Sequence, residues 1–97
     1  MYKELCKRGA IEWTDHASKR MLERGISRQD VKTAIMTGEV IENYPDDQPF
    51  ASCLILGTNG LHVVASIGNG KLWIITSYWP SLEKWDSDLK TRKKVTK

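Results

Sequence analysis

A chain of 97 residues and 11.1 kDa is long enough for one hydrophobic core and too short for two. With 40% hydrophobic and 28% charged residues it has a globular composition, and two cysteines cannot form a disulfide framework. Without a membrane-spanning apolar run or a signal-peptide core, we expect a protein of the reducing cytoplasm.

The net charge of +3 is unevenly distributed along the chain. Residues 1–28 and 61–97 are basic, whereas residues 29–60 are acidic. This distribution allows a nucleic-acid-binding face if the two ends meet in space. A solvated surface of mixed charge explains the same distribution.

Two helices are predicted near residues 15–24 and 28–37. Their boundaries are marked by polar N-cap residues and by glycine stops. These are Thr14 or Asp15 with Gly25 for the first helix, and a Ser27–Asp30 capping-box variant with Gly38 for the second.

Beyond Gly38 the period of apolar residues changes from about four to two, which predicts strands. We expect strands near residues 39–44, 51–57, 61–67 and 71–78, then a short helix near residues 82–85. A basic tail should begin at about residue 86. The predicted fold is α+β, with two N-terminal helices packed on one face of a four-stranded antiparallel sheet, in a single domain over residues 1–97.

The register of the last hairpin decides which side chains accompany His62. A three-residue loop over residues 68–70 would pair His62 with Thr76. A two-residue turn at Asn69–Gly70 would pair it with Ser77 and send Thr76 to the other face. We expect the face that carries His62 to be the more polar and open one.

The cysteines and histidines are not spaced as metal ligands. Cys53 stands in an apolar strand and is best explained by core packing, and Cys6 is interpreted as a mobile N-terminal residue. We therefore expect no metal and no cofactor.

On the first predicted helix His16, Arg20 and Arg24 follow one another at intervals of four, forming a polar stripe. Histidine titrates near neutrality, and the arginine fork matches a phosphate. The stripe is therefore a candidate phosphodiester site. The simpler interpretation is a histidine at the border of the core, flanked by solvated arginines.

Several segments resemble a bacterial family catalogued as domain of unknown function 4258. They are residues 11–27, which include Trp13-Thr14-Asp15-His16, then residues 38–45, 61–64 and 74–80, followed by Trp85. The resemblance covers about residues 11–86. That family is similar to the RelE-like toxins and is grouped with the small metal-independent ribonucleases that include barnase, EndoU and colicin nuclease domains.

This resemblance implies that RNA is bound or cleaved on the open face of the sheet. By motif position, His16 and Arg20 match the helix His and Arg of the family. His62 matches the strand His, and Thr76 and Tyr78 match a polar pair on the last strand. The implied activity is a metal-independent endoribonuclease that uses the 2′-OH of RNA as its nucleophile.

In that mechanism His16 and His62 act as base and acid, in either order, while Arg20 stabilises the phosphate and Thr76 and Tyr78 orient or donate to it. Trp79 or Tyr44 could stack a base. Further backbone contacts are expected from basic residues: Arg24, Lys90, Arg92, Lys93, Lys94 and Lys97. A disordered solubilising tail is the alternative for the last five.

Two other interpretations stay open. One is a non-catalytic module of the same fold that binds RNA or a partner protein. The other is a scaffold docked through its acidic middle by a cognate inhibitor, as an antitoxin docks on a toxin. An enzyme that acts on RNA, free or on the ribosome, requires His16, Arg20, His62 and Thr76 to converge, whereas in a binder the histidines point apart.

Overall fold

The computed structural model describes residues 2–93. In this part of the chain, three helices and five strands follow one another. They are α1 (Tyr2–Lys7), β1 (Ile11–Trp13), α2 (Asp15–Arg24), α3 (Arg28–Thr37), β2 (Glu39–Tyr44), β3 (Ser52–Leu56), β4 (His62–Gly68) and β5 (Lys71–Tyr78). None of these helices has the length and apolar character needed to cross a membrane.

The sheet is mixed and five-stranded, with the order β1-β5-β4-β3-β2. β2 to β5 pair antiparallel in sequence order, but β1 pairs parallel with β5 at the edge. The prediction of a four-stranded antiparallel sheet with two helices is therefore wrong, although the fold is α+β. A three-residue strand and a six-residue helix are too short to show a hydrophobic period, so pattern reading missed both β1 and α1.

All three helices contribute to a core on one face of the sheet. The buried apolar side chains of β4 and β5 on this face are Val63, Ala65, Leu72 and Ile74, and they pack in one cluster with helix residues such as Ala17, Val31 and Ile35. Cys53 belongs to this core, as the apolar strand predicted. Cys6 is also buried, so its interpretation as a mobile residue is wrong, because α1 docks on the core through it.

Thr14 joins the start of α2 to β5. Its hydroxyl oxygen accepts a hydrogen bond from the Ala17 amide at 3.1 Å, and the hydroxyl donates to the Ile74 carbonyl at 2.8 Å. Thr14 rather than Asp15 is therefore the N-cap. Gly25 ends α2 in the left-handed region with φ of 66°, where a side chain would be strained. These contacts fix α2 beside β5.

The hairpin between β4 and β5 turns over two residues, Asn69 and Gly70, both with positive φ. A bulge then shifts the register between Val64 and Ala65, so that His62 lies opposite Tyr78. Both predicted pairings of His62, with Thr76 and with Ser77, are therefore wrong. The bulge inserts one unpaired residue into β5 and leaves Thr76 and Tyr78 on the same face as His62.

A C-terminal strap, residues 81–93, covers the part of the second face of the sheet around His62 and Glu42. The predicted short helix is a turn, in which the Trp85 amide donates to the Ser81 carbonyl at 3.0 Å. The chain then reverses, and Trp85 pairs antiparallel with Arg92. The predicted open face is therefore wrong at His62, because the strap buries that residue completely. Lys94 and Lys97 lie outside the described residues.

Replacing Thr14 by Val keeps the side-chain shape but removes the N-cap and the bond to Ile74. We expect the free energy of unfolding to fall by about 1–2 kcal/mol, measured by urea denaturation. Thr33→Val is the control, because the Thr33 hydroxyl takes part only in an exposed contact of 3.3 Å with Gln29. A Thr14→Val loss no larger than that of the control would contradict this role of the cap.

Candidate functional site

His62 lies beneath the strap, with both ring nitrogens in hydrogen bonds. Its Nε2 lies 2.7 Å from the Leu89 carbonyl oxygen, and its Nδ1 lies 3.2 Å from the Tyr78 hydroxyl oxygen. A carbonyl only accepts, so Nε2 carries the proton and Nδ1 accepts from Tyr78. The rings of Trp85 and Tyr78 enclose the imidazole edge to face, with centroids at 4.5 and 5.2 Å.

Burial sets the protonation states of this pair. It lowers the pKa of His62 below its ordinary 6.5, an effect that the hydrogen bond to the Leu89 carbonyl opposes. Burial also raises the pKa of the Tyr78 hydroxyl. At neutral pH the imidazole is therefore neutral and the phenol is protonated, which suits a Tyr78-to-His62 hydrogen bond.

A cavity of about 640 Å³ opens beside this pair. Its lining residues are Arg24, Tyr78, Trp79, Ser81, Lys84, Trp85 and Arg92. Three of them are cationic and three are aromatic, and this lining contains no carboxylate. Trp79 is 45% exposed and offers its ring to a ligand. Such a combination attracts anions and provides flat surfaces for stacking.

Arg24 reaches the cavity from the last turn of α2. Its guanidinium donates to the Ser77 carbonyl at 2.7 Å, a bond that anchors the side chain beside the end of β5. Arginine has five N–H donors, so this single bond leaves others for a ligand. Arg24 thus presents a fixed positive charge in the same cavity lining as Tyr78.

Arg92 reaches the cavity from the strap and is held from two sides. Its Nε and Nη2 donate to the Glu42 carboxylate at 2.9 and 3.0 Å, and its guanidinium lies over the Trp85 ring at 4.5 Å. The pairing with Arg92 lowers the pKa of Glu42. Glu42 therefore stays ionised behind the cavity wall.

The structure brings together only part of the predicted site. His62, Tyr78, Arg24 and Arg92 meet at or beneath the cavity. Thr76 shares the sheet face of His62, where it pairs with Val64, but it lies outside the lining.

The other predicted residues lie elsewhere. His16 is exposed on the first turn of α2, and Arg20 is paired with Glu23 at 2.9 Å, so neither lines the cavity. Lys90 is paired with Glu39 on β2. Lys93 joins the strap through its backbone amide, which donates to the Lys84 carbonyl at 2.9 Å.

Sequence reasoning missed Lys84, Trp85 and Glu42 as parts of the site. Lys84 and Trp85 follow Pro80, where the sheet pattern ends, and their place depends on the strap folding back. One signal in the sequence indicated this region. After the last strand, Trp79 and Trp85 stand close to basic residues, namely Lys84, Lys90 and Arg92. Among residues 2–93, the structure contains no cluster of His, Cys, Asp and Glu side chains able to hold a metal ion.

Lowering the pH from about 7.5 to about 5.5 should destabilise the protein through His62. The unfolded chain binds a proton at the ordinary pKa of 6.5, whereas the folded chain resists protonation. The free energy of unfolding therefore falls as pH drops below about 6.5, by at most about 1.4 kcal/mol per pH unit.

Urea denaturation of the wild type and two variants across this pH range measures the effect. His62→Gln should lose this component of the slope, and His16→Gln should keep it because that variant leaves His62 and its partners unchanged. Equal slopes for wild type and His62→Gln would contradict the assignment.

The residues that build this site lie only partly within a known sequence family. The family model described as Domain of unknown function (DUF4258) matches residues 13–79, about two thirds of the chain. The match includes α2, β2 to β5, Arg24, His62 and Tyr78, and it ends before the strap. No curated protein and no solved structure matches the chain. With most of its length covered by the family model, the chain belongs to the DUF4258 family.

Proposed function

We propose that this protein binds single-stranded RNA at the cavity beside Tyr78. The observation that carries the proposal is the lining itself, in which Arg24, Lys84 and Arg92 converge with three aromatic rings. A phosphodiester needs cations and an unstacked base needs an aromatic platform, and single-stranded nucleic acids combine the two. A volume of about 640 Å³ is also typical of small-ligand sites.

The positions of the two histidines favour binding over a two-histidine ribonuclease. His62 is buried and His16 is exposed on α2, outside the cavity, so they do not form an acid–base pair around one phosphate. The resemblance to RelE-like toxins supports RNA as the ligand and is part of this proposal. The basic charge at both ends of the chain supports it as well, because Arg24 and Arg92 come from opposite ends.

Replacing Arg24 by Ala should weaken the binding of a labelled single-stranded RNA by about tenfold, measured by fluorescence anisotropy. Arg20→Ala is the matched control, since it lies one helical turn away and is paired with Glu23 outside the cavity. We expect the control to change affinity less than about threefold. Equal losses for both variants would indicate general charge attraction rather than a site.

A second candidate function, metal-independent RNA cleavage, is favoured by the Tyr78–His62 hydrogen bond at the cavity wall. In this proposal the Tyr78 hydroxyl accepts the 2′-OH proton while passing its own proton to Nδ1 of His62. The 2′-oxygen then bonds to phosphorus, and the bond to the 5′-oxygen breaks. Arg24 stabilises the phosphorane and water protonates the leaving oxygen, which leaves a 2′,3′-cyclic phosphate. The hydroxide formed from that water removes a proton from Tyr78, which takes its own proton back from Nδ1 of His62.

Tyr78→Phe separates cleavage from binding. If the second candidate is right, the variant should cleave labelled RNA about 10²–10⁴ times more slowly in excess chelator, because the proton relay is lost. Its affinity for RNA should change less than about threefold, since the ring remains. Cyclic-phosphate products are detected by gel electrophoresis, with free RNA and with ribosomes. Binding without any cleavage in either assay would assign the protein to the non-catalytic alternative.

A further inference from the structure

Glu42 is an acidic residue directly behind a cavity that we assign to an anionic ligand. We propose that Glu42 is a positioning residue that holds the Arg92 guanidinium on the cavity wall for contact with an RNA phosphate. This inference rests on the proposed RNA binding at the same cavity. The negative charge of a carboxylate by itself repels RNA. The inference nevertheless gives Glu42 a role that favours RNA binding.

The geometry of the pair supports positioning. Both carboxylate oxygens of Glu42 accept from Arg92, through Nε at 2.9 Å and Nη2 at 3.0 Å. This two-point contact fixes the plane of the guanidinium as well as its position. Two of the five N–H donors are used, and the others remain on a side chain that is 57% exposed.

Glu42 is itself held in place from the sheet. Its side chain is only 24% exposed, and the Tyr44 hydroxyl donates to its Oε1 at 2.6 Å. Both residues stand on β2, where a register shift between Val40 and Glu42 marks a bulge, so the carboxylate is attached to a strand of the sheet rather than to a loop. The Trp85 ring supports the guanidinium at 4.5 Å. Arg92 is thereby ordered before any ligand arrives.

Ordering Arg92 in advance reduces the entropy lost on binding. Immobilising one long side chain lowers affinity by about 2- to 12-fold, and a side chain already fixed avoids that loss. Against this gain stands the repulsion between the Glu42 carboxylate and the RNA backbone. Glu42 favours binding only if it acts through Arg92. The proposal is therefore tested by whether removing the Glu42 charge weakens or strengthens RNA binding.

The experiment measures single-stranded RNA affinity by anisotropy in a double-mutant cycle. In the wild-type background, Glu42→Gln should weaken binding about 3- to 10-fold, although it removes a negative charge. In the Arg92→Ala background the same change should leave binding unchanged or strengthen it, because only the repulsion remains. Glu39→Gln is the control for charge, since Glu39 pairs with Lys90, which does not line the cavity.

A structural role for Glu42 gives a different pattern. If its pair with Arg92 only fastened the strap, Arg92 would make no phosphate contact, so Glu42→Gln would lower the midpoint of thermal unfolding while the salt slope of binding stayed that of the wild type. The salt dependence provides a second readout. Loss of one phosphate contact should lower the slope of log affinity against log salt by about 0.7 in Glu42→Gln.

Tyr44→Phe provides a variant that keeps every charge. It removes the hydrogen bond that orients Glu42 and should weaken binding in the same direction by a smaller factor, which keeps the proposal testable if Glu42→Gln is poorly folded. Thermal unfolding of each variant checks the fold. If wild type binds RNA and Glu42→Gln binds equally well or more tightly, the positioning role is overturned. If wild type binds no RNA, the proposed function itself fails.

Discussion

The hydrogen bond between Nε2 of His62 and the Leu89 carbonyl connects the strap to the sheet, and the candidate site depends on it. A buried imidazole needs a partner for each nitrogen, because an unpaired buried polar group destabilises the fold. Leu89 satisfies one nitrogen and Tyr78 the other. The same contacts place Trp85 over the ring and bring the strap to one wall of the cavity. His62 is therefore a structural centre from which the cavity wall is built.

The charges of the site come from distant parts of the chain. Arg24 belongs to α2, whereas Lys84 and Arg92 belong to the strap. They meet at one cavity because the last turn of α2 is bonded to the end of β5 and the strap lies against the second face of the sheet beside it. The acidic middle of the sequence contributes Glu42, which pairs with Arg92 across the second face. Opposite charges that are separated in sequence thus become one local network, and such a network orients a cation more firmly than solvent does.

Most of the secondary structure was predictable from local pattern. Ser27 with Asp30 marks the start of α3, and Gly25 marks the end of α2, because caps act within one turn of the chain. The alternation after Gly38 likewise identified four strands. β1 was not predictable, since three residues carry no period and its parallel partner lies about 60 residues away. The bulge at Ile75 was also hidden, so the faces of Thr76 and Tyr78 depended on a single inserted residue.

The sequence by itself determined which residues carry suitable chemistry, because histidine, arginine and tyrosine have the same functional groups in any fold. It identified His62, Tyr78, Arg24 and Arg92 as candidates, together with His16 and Arg20. Only the tertiary structure decided which of them meet. His16 and Arg20 share a helix with Arg24, yet only the last turn of α2 borders the cavity. His62 has a polar strand position, yet the returning strap buries it, since burial depends on contacts between residues far apart in the chain.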